Sequence, residues 1–246
     1  ARASSLPHTP ATTAWTSSAE QVVIEGLERE HAAGRDFRLV SEEAGERTYG
    51  AGGDIVVVDP IDGSHNAKMG VPYFSLTLAV ASGDGYGSVY EAAVRNLATG
   101  EHFEAVAGGG AWRDGRQVRL AAAAGDAINI LQVEPARLEE HLPEYIDLFG
   151  RAEKIRMLGS AALNICLVAT GALSLSLAPT LRSVDAAAAL LILREAGGVA
   201  ADFEGAPLDA RDLALATRGS VVAAQSEALL ATAVDAIRMG RAQPRA

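Results

Sequence analysis

Cysteine is almost absent from this sequence: Cys166 is the only one in 246 residues. An intramolecular disulfide is therefore excluded, and the chain suits a reducing compartment. Positive charge is short as well, with 21 Lys and Arg against 31 Asp and Glu, for a formal net charge of -10. General nucleic-acid binding needs a basic footprint, so that class is set aside; an acidic surplus is compatible with cation binding. No apolar run reaches about 18 residues without a polar break, which leaves no candidate membrane span. The opening residues, ARASSLPHTPATTAWT, lack the apolar stretch of a signal peptide. They read as a loose arm, and the missing initial Met suggests a trimmed or partial start. There is no internal repeat and no low-complexity linker.

What is there is a globular chain, 49% apolar, long enough for a substantial core. Ser17 to Glu20 matches a capping box ahead of Val22, Val23, Ile24 and Leu27, which predicts a helix over about 17–32. DFRLVSEE and DIVVVDP read as strands that end in acids. YFSLTLAVAS, GSVYEAAV, EHFEAVAG and RQVRLA are rich in strand formers, with turns at Asp84-Gly85 and Asp114-Gly115 between them. This part, 1–125, is expected to be a helix on an antiparallel sheet. In 126–246 strands and helices alternate: AINILQVE, ARLEEHLPEYIDLFG, KIRML, SAALNICLVATG, ALSLSLA, VDAAAALLILREAGG, VAADF, SVVAA and a last helix from about Ser226. That alternation predicts helices layered on a mixed or parallel sheet, so the class is α/β (α+β) in two subdomains.

The chemistry concentrates in VVVDPIDGSHNA, residues 56–67. A strand end is where an α/β protein places functional groups. Pro60 is expected to stop the strand and fix the turn. Asp59 and Asp62 then share one space with the Ile61 carbonyl, an oxygen set of the kind Mg²⁺ prefers. Gly63 permits close backbone approach, and a helix starting near Ser64 offers free N–H groups to a phosphate. The plain alternative is a polar loop in which Asp59 caps a turn. Two further segments weigh against it: Glu42 and Glu43 end the upstream strand, and Asp185 opens a helix, where it is also a favourable cap. Adjacent strand residues face opposite ways, so only one of Glu42 and Glu43 reaches the site. His65 is read as a solvent-facing residue, Cys166 as core, Trp112 as packing beside a hairpin. Lys68 and Arg182 are either phosphate-attracting or surface charges.

DPIDGS from Asp59, with SEEAGE upstream and LRSVDAAAALLILREAGG downstream, resembles the inositol monophosphatase family. The nearest likeness is to its archaeal-type branch with fructose-1,6-bisphosphatase and inositol monophosphatase activity. GVPYFSLTLAV, GGGAWRDG and GSAALNICLVATGAL fit in the same order, over about residues 37–224. The resemblance implies a layered α-β-α-β-α sandwich of the sugar phosphatase type and a phosphomonoesterase acting on a sugar or polyol phosphate. It implies that Glu42, Asp59 and the Ile61 carbonyl hold one Mg²⁺, that Asp59, Asp62 and Asp185 hold a second, and that Mn²⁺ is a possible substitute. Gly63 and Ser64 would bind the phosphate through their N–H groups. The Ser64 hydroxyl and Glu42 would orient the attacking water, and Gly159, Ser160 and Ala161 would form the sugar-side loop. It further implies a cytoplasmic homodimer whose partner is a small phosphate ester, with no nucleic acid and no membrane.

Three departures qualify the likeness. Where relatives carry an early Asp for a third ion, this chain has Thr16 or a neighbouring Ser, and no acid precedes Glu20. Ala178 stands seven positions before Asp185, where a charged residue commonly contacts the sugar. Ala67 replaces an aromatic after Asn66. The alternatives kept open are a 3'-phosphonucleotide phosphatase on the same scaffold and a phosphatase-like binding module with weakened catalysis.

Overall fold

Apolar residues at periods of 2 and 3.6 have to be covered on both sides of a sheet, and here two sheets are stacked between three layers of helix. A computed structural model gives the fold and describes residues 11–121, 127–134, 136 and 138–242. Its elements run α1 (Ala11–Ala32), β1 (Phe37–Ser41), β2 (Gly45–Tyr49), β3 (Asp54–Asp62), α2 (Ser64–Met69), β4 (Ser75–Ala81), β5 (Val89–Asn96), β6 (His102–Val106), β7 (Gly110–Arg113) and β8 (Arg116–Val118). Then follow β9 (Ile130–Val133), α3 (Leu138–Arg151), β10 (Lys154–Arg156), α4 (Ala161–Ala169), β11 (Leu175–Arg182), α5 (Ser183–Glu195), β12 (Val199–Ala201), β13 (Arg218–Ala224) and α6 (Glu227–Ala242).

The first sheet has the order β2-β1-β3-β4-β5-β6-β7-β8 and is antiparallel except where β1 lies parallel to β3. The second has the order β10-β9-β11-β13-β12 and is mixed, with β10, β9 and β11 parallel. Helices α4 and α5 lie between the sheets. Helix α1 covers β3 from outside, and α3 with α6 covers the far face of the second sheet. The layers are thus α-β-α-β-α. Among the described residues no helix is long and apolar enough to cross a membrane.

Strand alternation sorts the core. In β3, Val56 and Val58 pack toward α1, while Ile55 and Val57 pack toward α5. In β13, Val221 and Ala223 face α5, and Val222 and Ala224 face α3 and α6. Each large side chain so buried contributes roughly 1.5–3 kcal/mol. Helix α5 is apolar nearly all round, which suits a helix with sheets on both sides, and ten of its residues are buried.

Three local expectations need correction. Helix α1 begins at Ala11, so Ser17 and Glu20 sit inside it and not at its cap. GERTY forms β2, which the pattern did not reveal because all five residues are at least partly exposed on a sheet edge. Pro60 does not end the strand; β3 runs on to Asp62 through a bulge that tolerates proline.

Helices α3 and α6 meet backbone to backbone. A Cβ on Gly240 of α6 would lie 2.3 Å from the Pro143 carbonyl oxygen and 2.6 Å from the Glu144 Cα. Gly→Ala in a helix ordinarily stabilises by about 1 kcal/mol. Here overpacking, about 1–3 kcal/mol, wins. Gly240→Ala is therefore expected to lower the midpoint in a urea melt; a raised midpoint would show that these helices can separate freely.

Candidate active site

Alternation carries Asp59 to the α5 side of the first sheet, because it follows Ile55 and Val57 at a period of two. Asp62, three residues on, would point the other way in a regular strand. The ladder shows why it does not: Asp59 pairs with Thr77 and Asp62 with Ser75, so Pro60 and Ile61 together oppose Leu76. The extra residue of this bulge restores parity and turns both acids to one face. Glu42 continues β1 beside β3, its N–H bonded to the Val58 carbonyl at 3.2 Å. Glu43 is exposed. Asp185 sits in the first turn of α5, where its charge also suits the helix N-terminus.

Glu42, Asp59 and Asp185 each place a carboxylate oxygen within 4.8 Å of the other two. Asp62 stands beside this trio. Its Oδ2 accepts from the Ser160 hydroxyl, the Ala162 N–H at 2.9 Å and the Ser75 hydroxyl at 3.4 Å, and its Oδ1 from the Ala161 N–H at 3.3 Å. The start of α4 thus holds Asp62 in place. The crowding shows in the acidities. Burial, then Asp62, Asp185 and Glu42, push the Asp59 carboxyl well above its usual range. Burial and the Asp185 charge push Asp62 up to about 7. Burial also raises Asp185, against the opposing pull of Arg182. Such values mark a place where positive charge is wanted. Asp59 gives the sharpest sign. Its Oδ1 accepts the Ile61 N–H at 2.9 Å, but its Oδ2 is buried with no donor aimed at it. An orphaned buried oxygen, on an acid that has two more carboxylates within 4.8 Å of one of its oxygens, fits a hard divalent cation.

The anion side lies next door. Gly63, at φ 86°, caps α2. A Cβ there would meet the Gly159 carbonyl oxygen at 2.8 Å, so glycine is required both for the left-handed backbone and for the close approach of the two loops. Asn66 ties them further, donating to the carbonyls of Tyr73 at 2.8 Å and Leu158 at 2.7 Å. Ser64 begins α2 half-buried, and His65 and Lys68 are exposed. Ser160 is fully buried and caps α4, its hydroxyl committed to Asp62 and Ser75. Ala161 follows it in the first turn of α4. Cys166 is in the core. Ala178 is buried in β11. Thr16 lies in the part of α1 whose side chains are outside the described residues.

Several participants were not legible in the sequence. The Thr77 hydroxyl accepts the Asp59 N–H at 3.2 Å and donates to the Val184 carbonyl at 2.9 Å, so it fixes β3 against α5 and Asp59 against Asp185. Arg182 is no free surface charge: it pairs with both Glu42 and Asp185. Glu134, mostly buried, accepts from Asn164 at 2.6 Å and Gln132 at 2.9 Å, and Asn164 in turn accepts from the Tyr73 hydroxyl at 2.9 Å.

Comparison with known proteins converges on one family. The model of the inositol monophosphatase family matches residues 4–239. The chain is 32% identical over 210 residues to a fructose-1,6-bisphosphatase/inositol-1-monophosphatase of Thermococcus kodakarensis, covering 81% of this chain and 74% of that protein. It is 33% identical over 199 residues to an inositol-1-monophosphatase of Rhizobium meliloti, covering 78% and 73%. Among solved structures, the extragenic suppressor protein suhB of Bartonella henselae superposes with a TM-score of 0.79 at 26% identity, covering 92% of this chain and 89% of that one.

The orphaned oxygen generates a test with two signs. Asp59→Asn removes a buried charge among like charges and supplies an amide donor. The metal-free variant is expected to melt higher than the parent by about 2–12 °C, from about 1–3 kcal/mol of relieved desolvation in a chain of this size. Adding Mg²⁺ should raise the melting temperature of the parent and not of the variant. A metal-free variant that melts lower would mean that Asp59 is already satisfied in the protein.

Proposed function

Because the chain belongs to the inositol monophosphatase family, we propose that it is a Mg²⁺-dependent phosphomonoesterase of a sugar or polyol phosphate, inositol-1-phosphate or fructose-1,6-bisphosphate. The observation that carries this reading is the cluster of Glu42, Asp59 and Asp185, in which the deeply buried Asp59 keeps an unpartnered oxygen. Glu42, Asp59, the Ile61 carbonyl, Asp62 and Asp185 are the groups that would hold two ions. Bound there, divalent ions supply a water of lowered pKa and charge neutralisation for the leaving alkoxide.

The protein's own residues do the rest. The Gly63 and Ser64 N–H groups, at the start of α2, receive the phosphoryl oxygens. The Ser64 hydroxyl and the Glu42 carboxylate orient the attacking water for in-line displacement. Asp62, fixed by the Ser160 hydroxyl and the first N–H groups of α4, keeps the sugar-side loop of Gly159, Ser160 and Ala161 in register with the acids. Thr77 keeps Asp59 opposite Asp185. A cytoplasmic homodimer is part of the same reading, on the family resemblance alone.

A second reading, a phosphatase-like module with weakened catalysis, is favoured by one observation: a guanidinium already pairs with two of the three clustered acids. A phosphate-release assay over inositol-1-phosphate, fructose-1,6-bisphosphate and 3'-phosphoadenosine compounds, with Mg²⁺ titrated, separates the readings. The phosphatase reading expects Mg²⁺-dependent release from a sugar or polyol ester. It expects Ser64→Ala to lower kcat by about 10²-fold through a misplaced water while Mn²⁺ affinity holds. No release at saturating Mg²⁺ would favour the module.

A further inference from the structure

Four carboxylates meet at this site, and one cation from the chain itself meets two of them. Arg182 is the last residue of β11 and the residue that caps α5. Its Nε donates to Asp185 Oδ2 at 3.2 Å and its Nη2 to Asp185 Oδ1 at 3.1 Å, a two-pronged grip that engages both oxygens of that acid. Its Nη1 reaches across to Glu42 Oε1. Glu42 follows β1 of the first sheet and Asp185 opens α5, and the guanidinium links the two.

We propose that Arg182 is a resident counter-ion that competes with the divalent metal, so that binding an ion at Glu42 and Asp185 requires the guanidinium to leave. This rests on the metal-dependent reading above. Three considerations support it. An ion ligated by Glu42 and Asp185 sits about 2.0–2.6 Å from their oxygens and uses the lone pairs that now accept from Arg182. The three acids each bring an oxygen within 4.8 Å of the other two, which leaves little room for a guanidinium and a divalent ion among them at once. Arginine cannot vacate the site by losing a proton, since it stays charged throughout the working range of proteins, so it leaves only by movement.

The fold permits that movement without unfolding. The Arg182 backbone is held by pairing with Arg218 in β13, so the side chain alone has to swing. Its side chain is 24% exposed, which places it at the rim of the site with a path outward. Asp59, the deepest acid, takes no part in the grip and keeps its free oxygen for the incoming ion. The counter-ion thus lowers the repulsion of the metal-free site and lowers metal affinity by the same interaction, as linkage demands of any two ligands that exclude each other.

The test is calorimetric titration of Mn²⁺ into metal-free parent, Arg182→Gln and Arg182→Lys, with melting temperatures taken alongside. Arg182→Gln is expected to bind Mn²⁺ about tenfold tighter, the equivalent of one lost charge-assisted contact, and to melt lower than the parent without metal. Arg182→Lys keeps the charge but loses the fork, so it should fall between the two. If Arg182→Gln does not fold without metal, the Lys variant carries the test through its own gain in affinity. Equal or weaker Mn²⁺ binding in the folded variants, with clear binding in the parent, would overturn the inference and leave the metal-dependent reading intact. No Mn²⁺ binding in any of the three would overturn both.

Discussion

Mutual repulsion among Glu42, Asp59, Asp62 and Asp185 is the constraint around which the molecule is organised. Like charges a few ångströms apart in a water-poor site disfavour one another's ionisation, and burial adds to that cost. Hydrophobic burial elsewhere has to hold them together. It does so with two sheets clamped on α4 and α5, whose apolar surfaces make one continuous core with β3, β4 and β11. Asp59 and Asp185 belong to elements locked by that core, and Thr77 bonds one to the other.

The devices that ease the repulsion are local and cheap. Backbone and hydroxyl donors from the start of α4 take up Asp62. The Ile61 N–H takes one oxygen of Asp59. Arg182 takes Glu42 and Asp185. What is left over, one buried oxygen of Asp59, is the residue of an incomplete balance. The same features that make the metal-free site tense make it receptive to a cation, so stability and function draw on one set of contacts.

Much of this was legible before any coordinates. The strand that ends in DPIDGS, the acid pair at Glu42 and Glu43, and the helix opened by Asp185 named the acids; the alternation of strands and helices pointed to helices layered on a sheet, and the family resemblance supplied the five-layer order. Period-two reasoning allowed only one of Glu42 and Glu43 to reach the site, the family resemblance named Glu42, and the structure leaves Glu43 exposed. Other features escaped for definite physical reasons. Three-residue spacing between Asp59 and Asp62 forbids a common face in a regular strand, and only the register against Thr77 and Ser75 exposes the bulge that allows it. Strand β2 has no buried face to set a pattern. The capping-box match at Ser17 failed because a four-residue signature is satisfied by chance within a longer helix. Thr77 and Arg182 act through partners more than 100 residues away, Val184 and Glu42, and no local pattern encodes such a contact. For Arg182 a signal was available: a basic residue three positions before an acid at a helix start has a carboxylate within reach.

The central claim is that this acid cluster is a divalent metal centre, and diffraction from Mn²⁺-soaked crystals at an anomalous wavelength tests it most directly. The account predicts at least two anomalous peaks, with Asp59 ligating both, Glu42 on one and Asp185 on the other, and the Arg182 guanidinium withdrawn from both acids. Crystals saturated with Mn²⁺ that show no peak within ligating distance of Asp59 would contradict it.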